Sequence, residues 1–82
     1  MVSVLITTYN SAKFLARCLD SIDSQTFQAI EVVVVDNASS DETRTILQQR
    51  TGLKIFYNDR NTGFAAAQNQ AASAARGSWL LS

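Results

Sequence analysis

The 82-residue chain has no histidine and no proline, a single cysteine and only three glycines. Without histidine there is no histidine-based catalytic triad, and with Cys18 alone there is neither an internal disulfide nor a zinc site. Charge of one sign is also missing. Seven basic and seven acidic residues cancel, with no basic block among them. A surface tracking nucleic-acid phosphates is therefore not expected. No apolar run approaches the ~20 residues that cross a bilayer. The opening Met1-Val2-Ser3 lacks the charged region of a signal peptide. The expectation is a cytoplasmic, reduced setting, no transmembrane segment and no nucleic-acid partner. What remains is a globular balance, 46% hydrophobic and 17% charged. Its length suits one domain, and a chain this small buries only about 60% of its unfolded surface.

Two stretches share one layout, an apolar run that ends in small polar residues opening a helix. Val2-Ser3-Val4-Leu5-Ile6 runs into Thr7-Thr8-Tyr9-Asn10-Ser11, and Val32-Val33-Val34-Val35 into Asp36-Asn37-Ala38-Ser39-Ser40-Asp41. Residues 2–7 and 31–35 read as strands, and the second, apolar without alternation, suits a centre covered on both faces. A third strand is expected at 53–57. Ser78-Trp79-Leu80-Leu81-Ser82 reads as the start of a fourth, cut short at the end of the chain.

Helical spacing fills the gaps. Phe14, Leu15, Cys18, Leu19 and Ile22 recur at threes and fours, giving one apolar face behind a cap at Asn10 or Ser11. On that face Cys18 reads as a small buried hydrophobe. Ser39 followed by Glu42 has the capping-box pattern, which predicts a helix from there to about Arg50, anchored by Ile46 and Leu47 and ended by Gly52. A third helix, starting near Thr62, is built on alanine and can lie close to a sheet, with Gly77 in the left-handed position after its last turn. Strands alternating with helices predict an α/β fold, a Rossmann-like three-layer sandwich on a parallel sheet.

In such sheets ligands bind outside the carboxyl ends of the strands. Thr7, Thr8, Tyr9 and Asn10 offer amides, hydroxyls and a ring able to bracket a flat heterocycle; a plain helix start fits them equally. Asp36 follows a buried run and needs hydrogen bonds to offset desolvation, a structural demand first. Asn37 can both accept from and donate to a base edge. The motif of a dinucleotide-binding dehydrogenase is absent, since no glycine lies between Thr7 and Ala12.

The run from Val2 to Asn10, then Gln25-Thr26-Phe27, then Glu31 through Asp41-Glu42-Thr43, closely resembles the amino-terminal part of family 2 glycosyltransferases of the GT-A fold. The resemblance continues through Asn61-Thr62-Gly63-Phe64-Ala65 and Asn69 to Arg76-Gly77. The Asp-Asn pair with Asn-Thr-Gly-Phe-Ala looks like the rhamnosyltransferase-like branch. The resemblance implies about four strands in the order 3-2-1-4, as the incomplete nucleotide-sugar-binding part (residues 1–82) of a glycosyltransferase domain. It also implies a UDP- or dTDP-sugar donor, with Thr7 and Tyr9 lining the base and Asn37 on its edge. Many members have Asp-Asp at Asp36-Asn37, which leaves uridine against thymidine open. Arg60 and the helix start near Gly63 are candidates for the diphosphate, and Asn69 for either the site or a loop contact.

Members carry an Asp-x-Asp after the fourth strand, holding Mg²⁺ or Mn²⁺, and a catalytic carboxylate much further along. By this resemblance the 82 residues hold no catalytic or metal-binding residue and bind no metal. Alone they are expected to be inactive. The full-length enzyme is expected in the cytoplasm or at the inner face of the membrane, in cell-wall or polysaccharide biosynthesis. The exposed edge of the fourth strand predicts self-association. The rival readings are a nucleotide-binding or regulatory module without transferase activity, and a structural α/β domain.

Overall fold

The computed structural model describes residues 2–24 and 30–81, the last four by their backbone. Among the described residues seven elements alternate: β1 (Val2–Thr8), α1 (Ala12–Asp23), β2 (Ile30–Asp36), α2 (Thr43–Gln48), β3 (Leu53–Tyr57), α3 (Phe64–Ala74) and β4 (Ser78–Leu81). The four strands form one sheet in the order β3-β2-β1-β4. Every pairing is parallel, with Val2 opposite Ile30 and Ser78, and Val32 opposite Leu53. The Gln25-Thr26-Phe27 motif lies outside the described residues.

Period-two alternation divides the sheet between two cores. Ile6, Val32 and Val34 face one side, where Leu15 and Leu19 of α1 and Leu47 of α2 cover them. Leu5, Val33 and Val35 face the other, against Ala67 and Ala71 of α3. All four valines of β2 are buried, as their unbroken apolar run requires. The alanines of α3 have the small side chains that close packing needs, and Ala67 and Ala71 are fully enclosed. No described helix is long and apolar enough to cross a membrane.

Five local expectations need correction. Phe14 is 56% exposed, so the buried face of α1 runs through Leu15 and Leu19 instead. Ser39 does not cap α2, which begins four residues later behind Glu42 with no side-chain cap. Neither Asn10 nor Ser11 caps α1 through its side chain. Asp41 and Thr43 serve that end from across the loop: Asp41 Oδ2 accepts from Ala12 N–H at 3.3 Å and Thr43 Oγ1 from Ser11 N–H at 2.9 Å. Finally, α3 stops at Ala74 because Ala75 is already extended, two residues ahead of Gly77. Gly52 has φ +78°, but it turns the chain into β3, three residues after α2 has given way to Gln49.

Candidate functional site

The parallel register brings three strand ends to one rim. Thr8 stands opposite Asp36, and Asp36 opposite Tyr57. The ladder then runs one step past the strands. Asn37 N–H donates to Thr8 O and Asn58 N–H to Asp36 O, each at 2.8 Å. Tyr9, Asn37 and Asn58 therefore leave the sheet side by side, at its carboxyl edge.

Asp36 is the buried centre of this rim. Its Oδ1 accepts the hydroxyls of Thr8 (2.8 Å) and Ser39 (2.6 Å), and its Oδ2 accepts Ser39 N–H (3.1 Å) and Arg44 Nε (2.7 Å). Burial alone would raise its pKa; the bonds from Ser39, Thr8 and Arg44 outweigh it and hold the carboxyl below its ordinary value. Ser39 is drawn to this carboxylate, which is why it is lost to α2 as a cap. Arg44 continues outward, donating to Asn58 O at 2.7 Å and lying over the Tyr57 ring at 5.2 Å. One side chain thus joins β2, α2 and the end of β3. Asp36 is a structural carboxylate here, with both oxygens doubly engaged.

Asn37 is 2% exposed and fully engaged. Its Nδ2 donates to Asn61 Oδ1 (2.9 Å) and Gly63 O (3.2 Å). Its Oδ1 accepts from Asn58 Nδ2 (3.2 Å), Thr62 N–H (3.0 Å) and Thr62 Oγ1 (3.2 Å). Neither end of the amide is offered to the rim. Asn10 is engaged as well: at φ +48° it turns its side chain over the second loop, where Oδ1 accepts from Ser40 N–H at 2.8 Å and Asp41 N–H at 3.3 Å. Thr8 is enclosed and bonded to Asp36.

The residues left facing outward are fewer. Tyr9 is 52% exposed and Thr7 is half-buried, its hydroxyl donating to Gln68 Oε1 at 2.5 Å. Arg60 and Gly63 are exposed in the loop before α3. Gly63, at φ +88°, caps that helix in a conformation that favours glycine. The first turn of α3 carries no acidic residue, so its amino end keeps its positive character toward the rim. Asn69 faces solvent.

Sequence reasoning missed Arg44, Ser39, Asn58, Asn61 and Gln68. For Gln68 a signal existed, because it falls on the buried stripe of α3 beside Ala67 and Ala71. It is 8% exposed, and its Nε2 has no partner among the described residues. The others also reach partners far along the chain, 24 residues for Asn61 with Asn37 and 29 for Ser39 with the Asn10 amide.

The rim carboxylates do not fit a divalent metal. Asp36 has no free oxygen, and Asp41 Oδ1 and Oδ2 are engaged by the amides of Thr43 and Ala12. Among the described residues no group of three or more histidine, cysteine, aspartate or glutamate side chains is placed to hold one.

An open parallel sheet with α1 and α2 on one face, α3 on the other, and a polar rim at its carboxyl edge defines the class: a Rossmann-like α/β domain. The chain belongs to glycosyl transferase family 2, whose profile matches residues 3–82. It is 40% identical over 85 residues to a PGL/p-HBAD biosynthesis glycosyltransferase of Mycobacterium bovis, covering 99% of this chain and 33% of that protein. The crystal structure of S. aureus TarS 1-349 in complex with UDP-GlcNAc superposes at TM-score 0.88 with 34% identity, over 98% of this chain and 25% of that one. The mannosyltransferase PcManGT from Pyrobaculum calidifontis, in complex with GDP-Man and Mn²⁺, superposes at 0.78 with 32% identity, over 92% and 24%. The chain thus spans about a third or less of each relative.

Proposed function

We propose that these 82 residues are the nucleotide-binding part of a glycosyltransferase that moves a sugar from a nucleoside-diphosphate donor to an acceptor hydroxyl. The observation that carries this reading is the parallel register of β1 and β2. It sets Tyr9 and Asn37 on one rim, before the amino end of α3, in a chain of family 2. The half-exposed Tyr9 ring suits a base lying against it, with Thr7 at the base's edge. The diphosphate suits the amino end of α3 at Gly63, with Arg60 as its cation. Thr8, Asn10 and Asp36 support these groups by fixing both loops. UDP is the donor nucleotide we favour, since a structural neighbour is held in complex with UDP-GlcNAc; dTDP offers the same base edge.

Divalent metal chemistry belongs to a related structure, the PcManGT complex with Mn²⁺. In this proposal the metal and the acceptor-activating carboxylate are not assigned to any described residue, so the 82 residues alone bind nucleotide and transfer no sugar. Titration with UDP, dTDP and GDP, followed by calorimetry, tests the binding half. Saturable binding of UDP supports it, and failure of all three nucleotides refutes it. Transfer of radiolabelled sugar by the 82-residue chain with Mg²⁺ or Mn²⁺ present would refute the second half.

A further part of the proposal concerns assembly. Among the described residues β4 pairs with β1 alone, and its other edge suits pairing with a second copy. Sedimentation at increasing concentration reads this directly, as a rising mass if copies pair and a constant monomer mass if they do not.

A further inference from the structure

We infer that Asn37 is a positioning residue, whose side-chain amide latches the 58–63 connection and thereby sets the amino end of α3, rather than reading the edge of a base. Five hydrogen bonds carry the inference, reaching Asn58, Asn61, Thr62 and Gly63 from the end of β2. The orientation of the amide is dictated by its partners. Thr62 N–H can only donate and Gly63 O can only accept, so turning the amide over would oppose like groups at both ends. At 2% exposure the side chain has no surface left for a ligand.

The partners are themselves committed. Asn61 Oδ1 also accepts Gly63 N–H at 2.8 Å, which holds the glycine at φ +88° where α3 begins. Asn58 and Gln70 exchange amide hydrogen bonds in both directions, at 3.0 and 3.1 Å. The connection is therefore fastened to β2 at one end and to α3 at the other. A carboxylate at position 37 keeps an acceptor for Thr62 but loses both donated bonds and faces Gly63 O with like charge. Asn61 cannot repair this by turning its own amide, because Gly63 N–H needs the same oxygen.

The latch rests on this geometry alone; its effect on ligand affinity rests on the nucleotide reading above. Asn37→Asp separates the two roles. A base-reading acceptor is preserved or improved by aspartate, whereas a latch is broken by it. We expect Asn37→Asp to speed amide hydrogen exchange at Thr62 and Gly63 about tenfold, as loss of buried hydrogen bonds implies, with Val33 and Val35 unchanged. UDP and CDP, which differ in the hydrogen bonds offered by the base edge, should weaken by the same factor. Unchanged exchange at Thr62 and Gly63 overturns the inference, and so does a shift in the UDP-to-CDP affinity ratio. If the unsubstituted chain binds neither nucleotide, the nucleotide reading fails while the exchange result still decides the latch. Should Asn37→Asp not fold, Asn61→Ala must speed exchange at Gly63, and its failure to do so overturns the inference equally.

Discussion

Of the three rim residues with positive φ, Asn10, Ala38 and Gly63, the last two hold it for opposite reasons and make a paired test. Gly63 at φ +88° is a glycine where one is needed, and a Cβ there would meet nothing within 4 Å. Gly63→Ala therefore costs backbone strain alone, and we expect about 1 kcal/mol of lost stability in urea denaturation. Ala38 holds φ +68° with a side chain, between Asn37 and Ser39. Ala38→Gly should gain about 1 kcal/mol in the same measurement. Asp36 is the costly position. Asp36→Ala strands the donors of Thr8, Ser39 and Arg44 and should cost about 3 kcal/mol or more.

At the scale of elements, α3 works through its smallness. Ala71 is fully enclosed against the sheet, and its core holds Leu5, Val33 and Val35. Enlarging it with Ala71→Leu should cost about 2 kcal/mol by overpacking. It should also displace the amino end of α3, which a weakened UDP affinity would report. The strands and their polar ends were legible because four consecutive valines admit little but a doubly covered strand. The strand order came with the family resemblance; periodicity alone would have left it undetermined. What escaped was how the polar residues divide their labour. Ser39 and Glu42 have the spacing of a capping box, yet the Ser39 hydroxyl lies 2.6 Å from Asp36, a carboxylate three residues earlier. Asn37 looked available for a ligand because its partners, at positions 58, 61, 62 and 63, are distant in the chain and become neighbours only once β3 pairs with β2. The rim's architecture is written in non-local hydrogen bonds.

Over the whole molecule, the two ends of the sheet have different duties. The end away from the rim is locked by Glu31, which accepts from Arg76 N–H at 2.8 Å and the Ser3 hydroxyl at 2.7 Å and pairs with Lys54 at 3.2 Å. The Arg76 amide first, then Ser3, with Lys54 adding to them, lower its pKa from 4.5 to about 2. A carboxylate depressed on folding contributes stability that is present above its unfolded value and lost as pH falls toward its folded one. Asp36 and Asp41 are lowered too, so their contributions have the same sign. Thermal stability should therefore fall as pH drops from about 4.5 toward 2, and Glu31→Gln should flatten that fall. At the rim we propose that a nucleoside diphosphate lies across Tyr9 and the amino end of α3. An amide-resolved NMR titration with UDP tests it most directly. Saturable shifts are expected at Thr7, Tyr9, Gly63 and Phe64, with the Glu31 end of the sheet unmoved. UDP that leaves those four amides unperturbed at millimolar concentration, or that shifts only residues elsewhere, would contradict it.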